Sequence, residues 1–347
     1  MWFLNTWRPR LAATVLTLGL LAGPSARTVL ASSSPSFSGQ ATVVRAHVAG
    51  IPILLADTGA LPPSGGAQDA SLLNASVPGV LSAEVLHAST VAQGSTSRSE
   101  ASVANISLMA GGNTIAADFL MARATATCGS GGASTSGSSE VVGLAVNGKS
   151  VTVSGSPNQT VSLPAGGQVI INEQSSSSSG SAGSMTVNAL HVTVPDVAGV
   201  PRSDVIISSA HADITCPPPG QTGGCGNGDF VTGGGWITTD SGARGNFAVA
   251  GGIKNGGFWG HLEYKDHGTG GSVHGTGVTA YTVTGPTSRH IEGTAEVNGQ
   301  PGFTYEVDVA DNGEPGRNDT FAIQLSNGYK VTTRTLGGGN IQLHQPC

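Results

Sequence analysis

The stretch Phe258-Trp259-Gly260-His261-Leu262-Glu263-Tyr264-Lys265-Asp266 decides the fold class. In an extended chain, Phe258, Leu262 and Tyr264 fall on one side, and Trp259, His261, Glu263 and Lys265 on the other. Period two marks a half-buried strand, because successive side chains of a pleated chain point to opposite faces. The pattern recurs in both directions, while helical periodicity is nearly absent. Glycine numbers 53, charged residues are 10% and aromatics 5%, and the apolar 38% is arranged in alternating runs. That composition excludes disorder and fits an all-β protein with many tight turns.

The chain divides at Pro217-Pro218-Pro219-Gly220, since consecutive prolines favour an extended linker and cannot sit in a central strand. Before it, strands are expected near Ala41–Val48, Ala83–Val91, Ser99–Met109, Thr114–Thr127, Glu140–Val146, Ser150–Val153, Gln168–Glu173, Met185–Val194 and Asp204–Thr215. Asn147-Gly148 suits a type I′ hairpin turn, and Ser175–Gly183 reads as a flexible loop. After it come Val231–Ile237, Gly245–Ile253, Phe258–Asp266, Ser272–Val283, His290–Asn298, Phe303–Ala310, Thr320–Leu325 and Ile341–His344. Two antiparallel β modules are therefore expected: an N-terminal β-sandwich over 32–216 and an eight-strand meander over 225–347, curled into a sandwich or barrel. Residues 217–224 form the linker.

Arg8 and Arg10, the apolar run Leu11 to Leu21 and Val29-Leu30-Ala31 make an export signal with cleavage expected after Ala31. A secreted chain meets oxidising conditions, so the four cysteines are expected as disulfides. Cys128 and Cys216 each end a strand of the first module, and Cys225 and Cys347 tie the ends of the second. Pairing Cys216 with Cys225 instead would force Cys128 and Cys347 together across two domains. The formal net charge of −6, with no basic cluster beyond the signal, disfavours nucleic acid and anionic membranes as partners. No second apolar stretch is long enough to span a membrane. The expected location is extracellular, released or held non-covalently at the cell surface.

Several motifs carry a resemblance. Ala56-Asp57-Thr58-Gly59, Val77-Pro78-Gly79, Pro157-Asn158-Gln159-Thr160, Ile171-Asn172-Glu173-Gln174, Val187-Asn188-Ala189-Leu190-His191 and Ser209-Ala210-His211-Ala212-Asp213 occur in order between Phe37 and Cys216. This region resembles the choice-of-anchor P family of bacterial secreted proteins. Gly233-Gly234-Gly235-Trp236-Ile237, Trp259-Gly260-His261-Leu262, Gly313-Glu314-Pro315-Gly316 and Gly337–His344 resemble the module that often follows such domains. The resemblance implies surface association and supplies no catalytic residues. The ending Gln345-Pro346-Cys347 lacks a sorting signal, which departs from the family's varied anchors.

Two constellations could carry chemistry. Asp308, Asp311, Asn312, Glu314 and Asp319 place hard oxygen donors around a glycine turn, a set that could surround Ca²⁺. The same residues could equally cap backbone N–H groups in a hairpin connection. The second is a polar sheet face. Trp259, His261, Glu263 and Lys265, joined by Glu292 and Glu306 if their strands are adjacent, would offer an aromatic plate and planar hydrogen-bonding groups to a glycan. A solvated outer face explains the same alternation. No zinc spacing and no G-x-S-x-G elbow occurs. The expected function is a non-catalytic extracellular structural or adhesive protein whose partner is another surface protein or a glycan. A polysaccharide-binding module, with or without calcium support, is the alternative, and an extracellular glycoside hydrolase the third.

Overall fold

The computed structural model describes residues 34–48, 50–164, 166–195, 202–218, 228–254 and 256–345. The export signal, Cys225 and Cys347 lie outside the described residues. No helix occurs among those described. The first module contains β1 (Ser36–Val48), β2 (Ile51–Asp57), β3 (Gly66–Val77), β4 (Leu81–Gln93), β5 (Thr96–Ala110), β6 (Asn113–Gly129), β7 (Gly132–Val142), β8 (Ala145–Val146), β9 (Lys149–Ser150), β10 (Gln159–Ser162), β11 (Gln168–Ser179), β12 (Ala182–Val194) and β13 (Ser203–Thr215). The second contains β14 (Phe230–Thr238), β15 (Arg244–Lys254), β16 (Gly257–Asp266), β17 (Ser272–Val283), β18 (Ser288–Val297), β19 (Gln300–Ala310), β20 (Thr320–Leu325), β21 (Lys330–Thr335) and β22 (Gly338–His344).

The first module is a sandwich of a six-stranded sheet, β10-β11-β12-β13-β1-β2, and a seven-stranded sheet, β3-β4-β5-β6-β8-β9 with β7 also on β6. Every pairing is antiparallel, so one face of each sheet can bury its alternate residues against the other. The shared core is aliphatic and small: Val44, Leu86, Ala101, Val103, Leu120, Ala122, Leu190, Val205 and Ala210 are all buried. Gly137 shows why small residues recur, since a Cβ there would sit 2.1 Å from Met185 Cε. Cys128 and Cys216 form a disulfide that closes a loop of 88 residues.

The second module is a single meander with β22 returning beside β14, in the order β21-β20-β19-β18-β17-β16-β15-β14-β22. In a flat sheet, β15 and β20 would stand about 24 Å apart, five strand spacings. Phe247 and Phe321 on those strands instead stack with ring centroids 4.1 Å apart, so the sheet curls over its own inner face. Tyr264, Tyr305, Ile291, Val307 and Val309 fill that face, as the alternation requires.

Four expectations need correction. Ser150–Val153 is not a strand, since Ser150 ends the two-residue β9 and Val151–Val153 lie outside any strand. The second module has nine strands, because Lys330–Thr335 pairs with β20 although only Val331 of it is buried. Ser175–Ser179 is the end of β11, paired with β12, and not a loop; cross-strand bonds hold a polar stretch that has no apolar pattern of its own. Ile51–Asp57 and Gly66–Val77 are strands at sheet edges that the alternation did not mark. Asn147-Gly148 has φ of 50° and 74°, the left-handed pair that a type I′ turn needs.

Candidate functional site

Among the described residues no hydrogen-bonded sheet mixes strands of the two modules, yet Ser33–Cys347 packs as one compact unit. The outer face of β3, β4 and β5 lies against the outer face of β14, β15, β16 and β22. Strands β4 and β5 are consequently buried on both faces along their middles. A bulge between β4 and β5 sets this up. Val85 there has φ of 46°, strained for a β-branched residue, and it packs with Ala104 on Ala248 of β15. Gly234 on β14 permits the close approach, since a Cβ would lie 2.4 Å from Ser102 Oγ.

Around this small apolar centre the seam is polar. At one end His261 Nδ1 lies 2.8 Å from Asp69 Oδ2, and His261 Nε2 lies 3.3 Å from His87 Nδ1. A carboxylate only accepts, so His261 donates to Asp69. Burial holds the His87 imidazolium down to a pKa of about 3, aided by the nearby His261, against the pull of Asp69. Burial opposes the Asp69 charge, but the bond and charge of His261 outweigh it and leave the carboxyl below its usual range. Ser71 Oγ donates to Glu263 Oε1 at 3.3 Å, and His274 Nδ1 lies 3.0 Å from the same carboxylate. Glu263 is raised by burial, in part offset by His274.

At the other end Asn340 Nδ2 donates to Glu100 Oε1 at 2.8 Å and reaches Glu314 Oε1 at 3.5 Å. Arg98 pairs with Glu314 at 2.6 Å, and Arg123 donates to the Pro315 carbonyl at 3.2 Å. Burial, with repulsion from Glu314, pushes the Glu100 carboxyl up to about 7 against Arg123, Arg98 and the Asn340 bond. A cavity of about 200 Å³ opens here between Arg98, Glu100, Arg123, Ser138 and Glu314. Arg244 of β15 also crosses the seam to Asp118 at 3.1 Å.

The structure does not assemble the expected glycan face. His261 and Glu263 are covered by β3 and β4. Trp259 packs half-buried against Phe230 with ring centroids 5.5 Å apart, and Lys265 is half-buried. Glu292 and Glu306 pair with each other on β18 and β19, beyond β17, and stay exposed. Alternation identifies a non-core face; it does not reveal that another module covers part of it.

The five oxygen donors do not converge either. Asp308 lies on the outer face of β19, 2.7 Å from His290 Nδ1. Asp319 is fully buried and accepts the Asn312 and Ile341 amides, both at 2.8 Å. Burial raises its pKa to about 6 despite those two bonds. Asp311 accepts the Gly313 amide at 3.1 Å and the Leu343 amide at 2.9 Å, and Asn312 Nδ2 donates to the Asn318 carbonyl at 2.9 Å. Glu314 belongs to the seam. These groups anchor the loop to β22, and no group of three or more metal-binding side chains occurs among the described residues.

A further polar network was missed as a site. Glu173 on β11 accepts from Asn188 Nδ2 at 2.6 Å and lies 3.0 Å from His191 Nδ1, while His191 Nε2 lies 3.0 Å from Asp204 Oδ1. Burial lowers the His191 pKa, but the two carboxylates outweigh it and raise it. The motifs over 171–191 carry Glu173, Asn188 and His191, which was the available signal; Asp204 lies outside them.

No family model matches the chain, and no curated protein matches it. A crystal structure of a protein assigned as AttH from Nitrosomonas europaea aligns with 89% of this chain and 92% of its own, at 8% identity and a TM-score of 0.20.

Proposed function

We propose that the chain is a non-catalytic extracellular protein of structural or adhesive role, in which the two β modules act as one rigid piece. One observation carries this reading: the seam consumes the side chains that would otherwise make a reactive or sugar-binding face on the second module. Across it His261 bonds to Asp69 and His87, and Glu263 accepts from Ser71. Buried polar contacts of this kind fix orientation more than they add net stability. The choice-of-anchor P resemblance over 37–216 points the same way, toward a secreted bacterial surface protein.

The test is retention. Mature protein is added to the cells that make it and to their purified wall, and bound protein is measured beside release of sugar from chromogenic glycosides. Retention without turnover is expected. Turnover lost in Glu100→Gln or Glu314→Gln would replace this reading with a glycosidase. A second reading, glycan binding, draws on the seam cavity, where two guanidinium groups, two carboxyls and the hydroxyls of Thr125, Ser136 and Ser138 surround one space.

A further inference from the structure

We propose that the β2 edge of the first sheet, with the groove on its outer face, docks an extended acidic segment of a partner surface protein. The proposal rests on the adhesive reading and names the partner class. The groove has a volume of about 1070 Å³ and runs over β2, β1 and β13. Strand pairing sets its floor. Leu54, Arg45, Ile206 and His191 are successive cross-strand partners, and so are Pro52, His47 and Asp204. Aliphatic and basic side chains therefore alternate along the first row, and the second runs from Pro52 through His47 to the carboxylate of Asp204.

The charge selects the ligand. Arg45 and His47 are exposed, and neither has a carboxylate partner among the described residues; Arg45 makes a long 3.4 Å bond to Thr42 Oγ1. Arg202 is 75% exposed and lies 3.9 Å from Asp204, which His191 already shares. Two guanidinium groups and an imidazole face one groove in a chain of net charge −6, with Asp204 the carboxylate beside them, and guanidinium forks fit carboxylates. The absence of an aromatic plate separates peptide from glycan. Between the charged groups the lining is Ala46, Pro52, Ile53, Leu54 and Ile206, with no Phe, Tyr or Trp ring among the described residues on which a sugar could stack.

The backbone supplies the rest. Among the described residues β2 ends its sheet, so its outer N–H and C=O groups face no further strand there. Ile51 and Leu54 on it are 56% and 57% exposed. An added strand gains main-chain bonds from such an edge and specificity from alternate side chains. Pro52 removes one donor, so the docked strand must bond on either side of it.

The experiment uses the mature chain and an array of ten-residue peptides that alternate valine with aspartate or glutamate. Matched arrays carry lysine for the acids, or N-methylated backbones. Binding should be saturable on the acidic array, weaken with salt, and be absent from the lysine array. It should fall at least tenfold in Arg45→Glu and in Leu54→Ser, with unchanged melting temperature, and fall on N-methylation. No acidic-peptide binding, or binding indifferent to both variants, overturns the groove. Binding to polyuronate in preference to every peptide also overturns it. Cell-surface retention is measured on the same variants: retention kept by Arg45→Glu leaves the adhesive reading standing without this groove, and no retention by the parent chain removes the adhesive reading itself.

Discussion

At one end of the seam His87 is fully buried between β4 and β14; at the other Glu100 is 2% exposed between β5 and β22. Each has an unpartnered side-chain atom, His87 Nε2 and Glu100 Oε2. Both are sealed by the same two modules, yet they answer acidity in opposite directions. Burial penalises the charged form, which is the protonated form of histidine and the deprotonated form of glutamate. The folded-state pKa of His87 is depressed to about 3, so its contribution is present above pH 6.5 and is lost as pH falls toward 3. His344, buried beside Thr232 on the next strand, shares that sign through burial and the nearby Arg98. The pKa of Glu100 is raised to about 7, so its contribution is present below pH 4.5 and is lost as pH rises through 7. Falling pH therefore loads one end while it relieves the other.

Four changes sharpen or break this comparison. Replacing Cys128 and Cys216 by serine acts on both ends alike. It should lower unfolding stability by about 4 kcal/mol through the lost loop constraint, at pH 4 and pH 8 equally. Urea titrations at the two pH values check it, and a pH-dependent loss would tie the disulfide to one end of the seam. His87→Gln removes the base. Relative to its effect at pH 8, it should stabilise by about 3 kcal/mol at pH 4. An acid limb as steep as that of the parent chain would assign that limb to other groups. Glu100→Gln is the mirror test, with about 3 kcal/mol gained at pH 8 relative to pH 4. If calorimetry finds the gain at the acid side, the sign assigned to Glu100 is wrong. Arg98→Ala breaks the part-exposed pair with Glu314. It should cost under about 1 kcal/mol and shrink in salt, and a salt-independent larger loss would make that pair a keystone of the seam.

The sequence exposed the frame of the molecule more readily than its seam. Strands with clean alternation, such as β16 and β19, and turns with Asn-Gly, such as 147–148, could be read because local physics decides them. β21 and the serine end of β11 could not, because their state is set by a neighbouring strand's open bonds. The polar side of β16 was identified as a non-core face, and residues such as His261 did lie off the core. Its cover was invisible, since nothing in 258–266 says that Asp69 and Ser71, about 190 residues earlier, will meet it. A hint existed in β4 and β5, where His87 and Glu100 interrupt runs buried on both sides.

The uneven distribution of ring-bearing residues gives the molecule a built-in optical probe. The four tyrosines, Tyr264, Tyr281, Tyr305 and Tyr329, all belong to the second module. In a chain cleaved after Ala31, Trp236 and Trp259 are the remaining indoles. Trp236 lies under the Arg244 guanidinium, 4.6 Å from it, and Arg244 itself reaches across to Asp118. Intrinsic fluorescence and near-ultraviolet dichroism will thus follow the second module and its junction. Unfolding of the first module will reach both signals only through Trp236 at the junction, and far-ultraviolet signals will carry the rest.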